Sequence, residues 1–207
     1  MLLPAVPGRC SLSGWNATPT PCSWGRCCAG QAAGLLYWAP TLVPGILQTE
    51  SYARALFEAF PDSDETLGAR LAGRMDRQQI LARPRPPMVT VLLDELALHR
   101  CVGGAEVMRD QLTRLADASL QARIVLQVIP AAVGGHPGLE GAVSIADPDD
   151  GGPAIVYLES LATGRTATDP DIIAKIRAIT DVLRGEALTR AASREMIMKV
   201  AAERWTP

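Results

Sequence analysis

From Glu50 onward the apolar positions follow helical and strand periods in turn. Tyr52, Leu56 and Phe60 recur every four residues with Ala53 and Phe57 beside them. That is one apolar stripe and predicts an amphipathic helix. Thr49 offers a hydroxyl N-cap, and Glu50 suits the first turn. After "PDSD", Asp62 and Glu65 resemble an acidic capping box. The helix that follows runs to about Arg83 and turns Leu67, Leu71, Met75 and Gln78 inward. "PRPP" stops it, because proline lacks the amide hydrogen and clashes with the preceding turn.

Strand patterns come next. "MVTVLLDEL" is rich in β-branched and apolar residues and reads as a buried strand. Gly103 and Gly104 make a turn into a helix with Val107, Leu112 and Leu115 inward. "RIVLQVIP" is a second strand, and "AAVGGHPGLEG" a glycine-rich loop. "AVSIAD" and "AIVYLES", joined by "PDDGGP", predict a hairpin. In "TDPDIIAKIRAITDVLR", Asp169 caps, Pro170 takes the first helical position, and Ile172, Ile176, Ile179 and Leu183 form the buried stripe. Gly185 weakens the end of that helix. Ser193 opens a last amphipathic helix through Ile197, Val200 and Ala201. Helices at both ends of a run of strands predict an α+β fold: a small three- to four-stranded sheet flanked by amphipathic helices, two of them at the C-terminus.

Composition changes the picture at the N-terminus. Residues 1–49 contain no Asp or Glu, and they hold Cys10, Cys22, Cys27 and Cys28. No period is visible up to about residue 30. Zinc binding is one reading, but the cysteine spacing fits no ordinary zinc site and no histidine is near. A disulfide-stapled arm is another, disfavoured in a reducing compartment. The expectation is a disordered or artefactual leader over 1–35, from a misplaced start codon or shifted frame, followed by a folded domain over 36–207. The sequon at Asn16 is too short a pattern to be informative.

Bulk charge excludes some functions. A net charge of −2 and pI near 5.7 argue against a nucleic-acid coat or a polybasic membrane binder. With 4% aromatic residues, base-stacking platforms are not expected. The 48% of hydrophobic residues can build a sizeable core. No apolar run is long enough to cross a membrane, and Pro4 and Pro7 interrupt the start, so a cytoplasmic location is expected. Lys175 and Lys199 are the only lysines among many Arg, Ala, Gly and Pro residues, which points to a GC-rich genome.

Candidate chemistry is sparse. His99 and His136 are the only histidines and make no metal-binding pair, so no metal or cofactor is expected. There is no nucleophile elbow. "GGHPGLEG" lacks the lysine and the spacing of a phosphate cradle, and its glycines suit tight turns. His136 in that loop reads as a ligand contact or as an ordinary loop histidine. Asp94 and Glu95 end a strand pointing to opposite faces, which places Glu95 opposite an arginine rather than in a carboxylate pair. Glu159 reads the same way. Arg70, Arg74 and Arg77 form a basic helix face, either solvated or contacting acidic partner groups or phosphate. Cys101 reads as a buried structural thiol.

"LVPGILQTESYARALF" resembles the start of the C-terminal, effector-type domain of unknown function in actinobacterial XRE-like helix-turn-helix regulators. The resemblance continues in order through "RMDRQQILAR", "PPMVTVLLDELALHRCVGGAEVMRDQLTRL", "IVLQVIPAAVGGHPGLEGAVSIAD", "AIVYLES" and "LRGEALTRAASREMIMKV", covering about residues 38–204. It implies a regulatory domain without enzyme activity that senses a small-molecule effector or a small partner protein. It also implies a preceding helix-turn-helix, and the acid-free leader stands in that place. Autonomous DNA binding is therefore not expected of this chain. Homodimers are expected of relatives that read paired half-sites. The ligand- or partner-binding residues it suggests are Gln48, Tyr52, Arg77, Gln78, Glu95, His136 and Glu159, as polar contacts around an apolar cleft. Gln48 and Gln78 are equally suited to satisfying buried backbone groups. Val143 departs from the family, which carries a large aromatic there. A rival reading is a small-metabolite enzyme using His136 with Glu95 or Glu159 as acid and base.

Overall fold

A computed structural model describes residues 32–59, 66–159 and 164–206. Six strands form one mixed sheet in the order β3-β2-β1-β4-β5-β6. They are β1 (Ala32–Ala39), β2 (Met88–Asp94), β3 (Ile124–Ile129), β4 (Val143–Pro148), β5 (Ile155–Leu158) and β6 (Arg165–Ala167). β1, β2 and β3 run parallel, while β4 pairs antiparallel with β1, β5 with β4, and β6 with β5. The carboxyl ends of β1, β2, β3 and β5 therefore share one edge of the sheet.

The helices are α1 (Glu50–Glu58), α2 (Leu67–Gln78), the short α3 (Leu96–His99), α4 (Ala105–Ala118), α5 (Pro170–Glu186) and α6 (Arg190–Arg204). Thr49 caps α1 by accepting from Tyr52 N–H, and Asp169 caps α5 ahead of Pro170. Leu35, Val91, Leu93, Leu126 and Val128 face a core that includes Met108, Leu112 and Leu115 of α4 and Ile197 of α6. On the opposite face, Leu36, Trp38, Leu92, Ile129 and Ile145 pack with Leu183, Ile173, Ile176 and Ile179 of α5. Both faces of the sheet's centre are thus covered.

Several expectations are corrected. The fold is α+β, but the sheet has six strands, not three or four. The additions are the central strand β1 and the three-residue edge strand β6. Covered on both faces, β1 reads as the unbroken run "AAGLLYWA" with no alternation, as central parallel strands do. It begins at Ala32, ahead of the 35/36 boundary. In α5, Ile173 packs inward and Ile172 is 42% exposed. α6 starts at Arg190 with Thr189 as its cap, and Ser193 lies buried inside it, accepting from Val128 N–H of β3 at 2.9 Å. Thr66 caps α2. Cys101 is exposed, not buried. The expectations for the leader and for Phe60, Asp62 and Glu65 fall outside the described residues. Among the described residues no helix is long and apolar enough to cross a membrane.

Candidate functional site

The chain leaves β1 through Pro44 and a 3-10 turn over Gly45–Leu47, then enters α1. The loop's backbone is bound by glutamine side chains. Gln48 is 3% exposed and donates to Val43 O at 2.7 Å. Gln78 of α2 donates to Gly45 O at 2.9 Å and to Gln48 O at 2.8 Å. Gln111 of α4 donates to Leu47 O and accepts from Thr49 N–H. Tyr52 closes the underside, its hydroxyl accepting from Val43 N–H at 3.4 Å. Burial raises the Tyr52 phenol above its ordinary range. A buried loop must satisfy its backbone polar groups, and amides that donate and accept do so here.

Arg74 crosses this loop. Its Nη1 donates to Gln48 Oε1 at 2.6 Å. A Cβ at position 45 would stand 2.5 Å from that nitrogen, so Gly45 makes the close approach possible. The guanidiniums of Arg70 and Arg74 lie over the Phe57 ring, 4.3 and 4.8 Å from its centroid. Arg74 Nε is buried without a hydrogen-bond partner. Burial foremost, then the charge of Arg77, lowers the Arg74 guanidinium to about 10, against an opposing pull from Glu159. Tyr37 of β1 stands within reach of the same charges, and burial pushes its phenol up to about 12. Tyr37 is in register with Ser144 of β4, which is in register with Tyr157 of β5. The three share a face.

A second polar group lies on the other face at the same carboxyl edge. His136 sits on the loop after β3, its side chain 4% exposed. Its Nε2 is 3.4 Å from Asp94 Oδ2, and its Nδ1 accepts from Gly138 N–H at 3.2 Å. The Nδ1 contact leaves the ring proton on Nε2, facing Asp94. Trp38 meets the imidazole edge-on and donates from Nε1 to Gly138 O at 2.8 Å. Glu95 points elsewhere: it accepts from Ala131 N–H at 2.8 Å and faces His99 Nε2 at 3.5 Å. Both imidazole nitrogens of His136 are thus engaged inside the fold.

The suggested residues therefore fall into two places. Gln48, Gln78, Arg77 and Glu159 gather around Arg74, with Tyr52 beneath the loop. His136 and Glu95 lie apart from them, and His136 pairs with Asp94 rather than with Glu95 or Glu159. Sequence reasoning missed Tyr37, Asp94 and Gln111 as members of these networks. Arg74 was visible only as one position of a basic row. A surface depression of about 590 Å³ beside α1, lined by Glu50, Arg54, Glu58 and Gly103 among others, involves none of the suggested residues. Among the described residues no group of three or more His, Cys, Asp or Glu side chains is placed to hold a metal ion.

Over residues 28–199 the sequence matches the protein family described as "Domain of unknown function (DUF5753)". The chain belongs to the DUF5753 family. Neither the curated proteins nor the solved structures contain a match to it. The DUF5753 match spans every strand and helices α1 to α5, so both polar groups at the carboxyl edge lie within the family's own domain.

Proposed function

We propose that this DUF5753 chain is the effector- or partner-binding domain of an actinobacterial, XRE-like helix-turn-helix regulator, acting in the cytoplasm without catalysing a reaction. The ordered series of sequence segments supports the family link. The observation that carries the binding role is Arg74: a half-buried guanidinium whose buried Nε has no partner, fixed beside a braced loop at the sheet's carboxyl edge. Open α/β sheets bind ligands at such edges. His136 argues against the enzyme reading, because Asp94 and Gly138 occupy its two nitrogens and its side chain is almost fully covered. DNA reading is not assigned to this domain. Of the arginine row of α2, Arg70 and Arg74 lie over Phe57 and Arg74 also bonds to the loop, which leaves Arg77 alone and not a phosphate-contacting face. The test is a transcript profile of the host with the gene deleted and then restored. A limited set of genes is expected to change and to recover. A profile indistinguishable from the parent's would sink the regulatory reading.

A further inference from the structure

Apart from Arg74 Nη1, the side-chain donors of Arg74, Arg77 and Tyr37 meet no acceptor among the described residues. Arg74 Nη1 is taken by Gln48 at 2.6 Å, and Nε is unpartnered. What remains is the Nε–Nη2 edge, the fork that grips a carboxylate through two parallel N–H···O bonds. Arg77 lies three residues on, and so on the same side of α2. It makes no hydrogen bond or ion pair with a described residue, and the same holds for the Tyr37 hydroxyl. Arg77 and Tyr37 are half-buried, whereas Arg74 Nε is itself covered, so a ligand reaches the fork only by moving in beside these two side chains.

Charge and shape select the ligand. Arg70 and Arg77 add positive charge around Arg74, and the one carboxylate that acts on it, Glu159, is exposed. An anion is what such a cluster lacks. Tyr37 and Tyr157 stand two strands apart on one face, about 10 Å, with the small Ser144 between them. We infer that Arg74, Arg77 and Tyr37 bind the carboxylate of a small organic acid whose apolar body lies over Ser144 between the two tyrosines. This rests on the effector-binding reading for its biological use, not for the binding itself. The same carboxylate chemistry is offered by the free C-terminus of a peptide, so the test separates the two sources.

The experiment titrates the full chain with benzoate, with its neutral isostere benzamide, and with a trialanine peptide bearing a free or an amidated C-terminus, following melting temperature and heat of binding. Saturable stabilisation by benzoate and none by benzamide is expected. Arg77→Gln, which removes no bond of the fold, is expected to bind benzoate about tenfold more weakly, the loss of one charge-assisted hydrogen bond. Tyr37→Phe is expected to weaken it too. No saturable binding of benzoate, equal binding of benzamide, or unchanged affinity in Arg77→Gln overturns the assignment. Preference for the free peptide over benzoate overturns the small acid as the ligand. Failure here leaves the transcript test untouched, and an unchanged transcript profile leaves carboxylate binding untouched, so the two claims fall separately.

Discussion

Arg74 Nη1 donates to Gln48 Oε1 at 2.6 Å, and this bond ties the arginine row of α2 to the loop that opens α1. The loop is short, but α2 and α4 both contribute side chains that hold its backbone. Its order therefore depends on groups far away in sequence, and the position of Arg74 depends on the loop.

Gln78 should matter more than its half-exposed position suggests. Its amide nitrogen donates to both Gly45 O and Gln48 O. Gln78→Ala leaves those two carbonyls without their donor, and a loss of about 2–3 kcal/mol of stability follows from two such bonds. Urea unfolding measures it. Gln79→Ala, one residue on and exposed, is the control and should unfold like the parent.

The His136 loop makes a sharper steric prediction. A Cβ on Gly138 would stand 2.6 Å from Trp38 Cε2, whereas one on Gly135 would meet nothing within 4 Å. Gly138→Ala should cost about 2 kcal/mol or more by overpacking against a buried indole. Gly135→Ala should be close to neutral. Equal unfolding midpoints for the two variants would contradict the placement of Trp38 beneath this turn.

Much of the architecture was legible in the sequence, but its centre was not. The strands at 88–94 and 124–129 and the hairpin at 143–158 carry β-branched runs and turn residues that announce them. β1 does not, because a strand covered on both faces loses the alternation that marks a half-buried one. β6 is three polar or small residues and carries no pattern at all. The glutamine bracing of the loop could be suspected from Gln48 and Gln78. Gln111 could not, since its role depends on α4 crossing a loop 62 residues earlier. Strand parity placed Asp94 and Glu95 on opposite faces. Which of them meets His136 is decided by the path of the loop after β3, which no local pattern encodes.

Alkaline titration tests the buried phenols. The chain has three tyrosines, Tyr37, Tyr52 and Tyr157, and burial raises all three, Tyr37 to about 12. A raised phenol keeps its full contribution to stability below the unfolded value near 10 and loses it as pH climbs towards 12. Arg74 acts in the opposite sense, since its lowered value favours the neutral form in the folded state as pH rises past about 10. Tyr37→Phe should therefore flatten the alkaline loss of stability between those two values. An ultraviolet titration of the folded parent should show no tyrosine ionising at the ordinary value of 10.0.

His136 should behave as a structural residue. His136→Ala removes packing against Trp38 and leaves Asp94 Oδ2 and Gly138 N–H without their partner, a loss of about 2–4 kcal/mol. Benzoate binding in whatever fraction remains folded should be unaffected, because the cluster around Arg74 lies on the other face of the sheet. A loss of binding with stability intact would place His136 in the ligand site instead.

The most direct measurement is the arginine side-chain Nε–H spectrum of the full chain during a benzoate titration, with Arg74→Lys used to assign the Arg74 signal. The Arg74 Nε–H resonance should move downfield and saturate with the same constant as the thermal stabilisation. An Arg74 resonance that stays in place while benzoate saturates the protein would contradict the account.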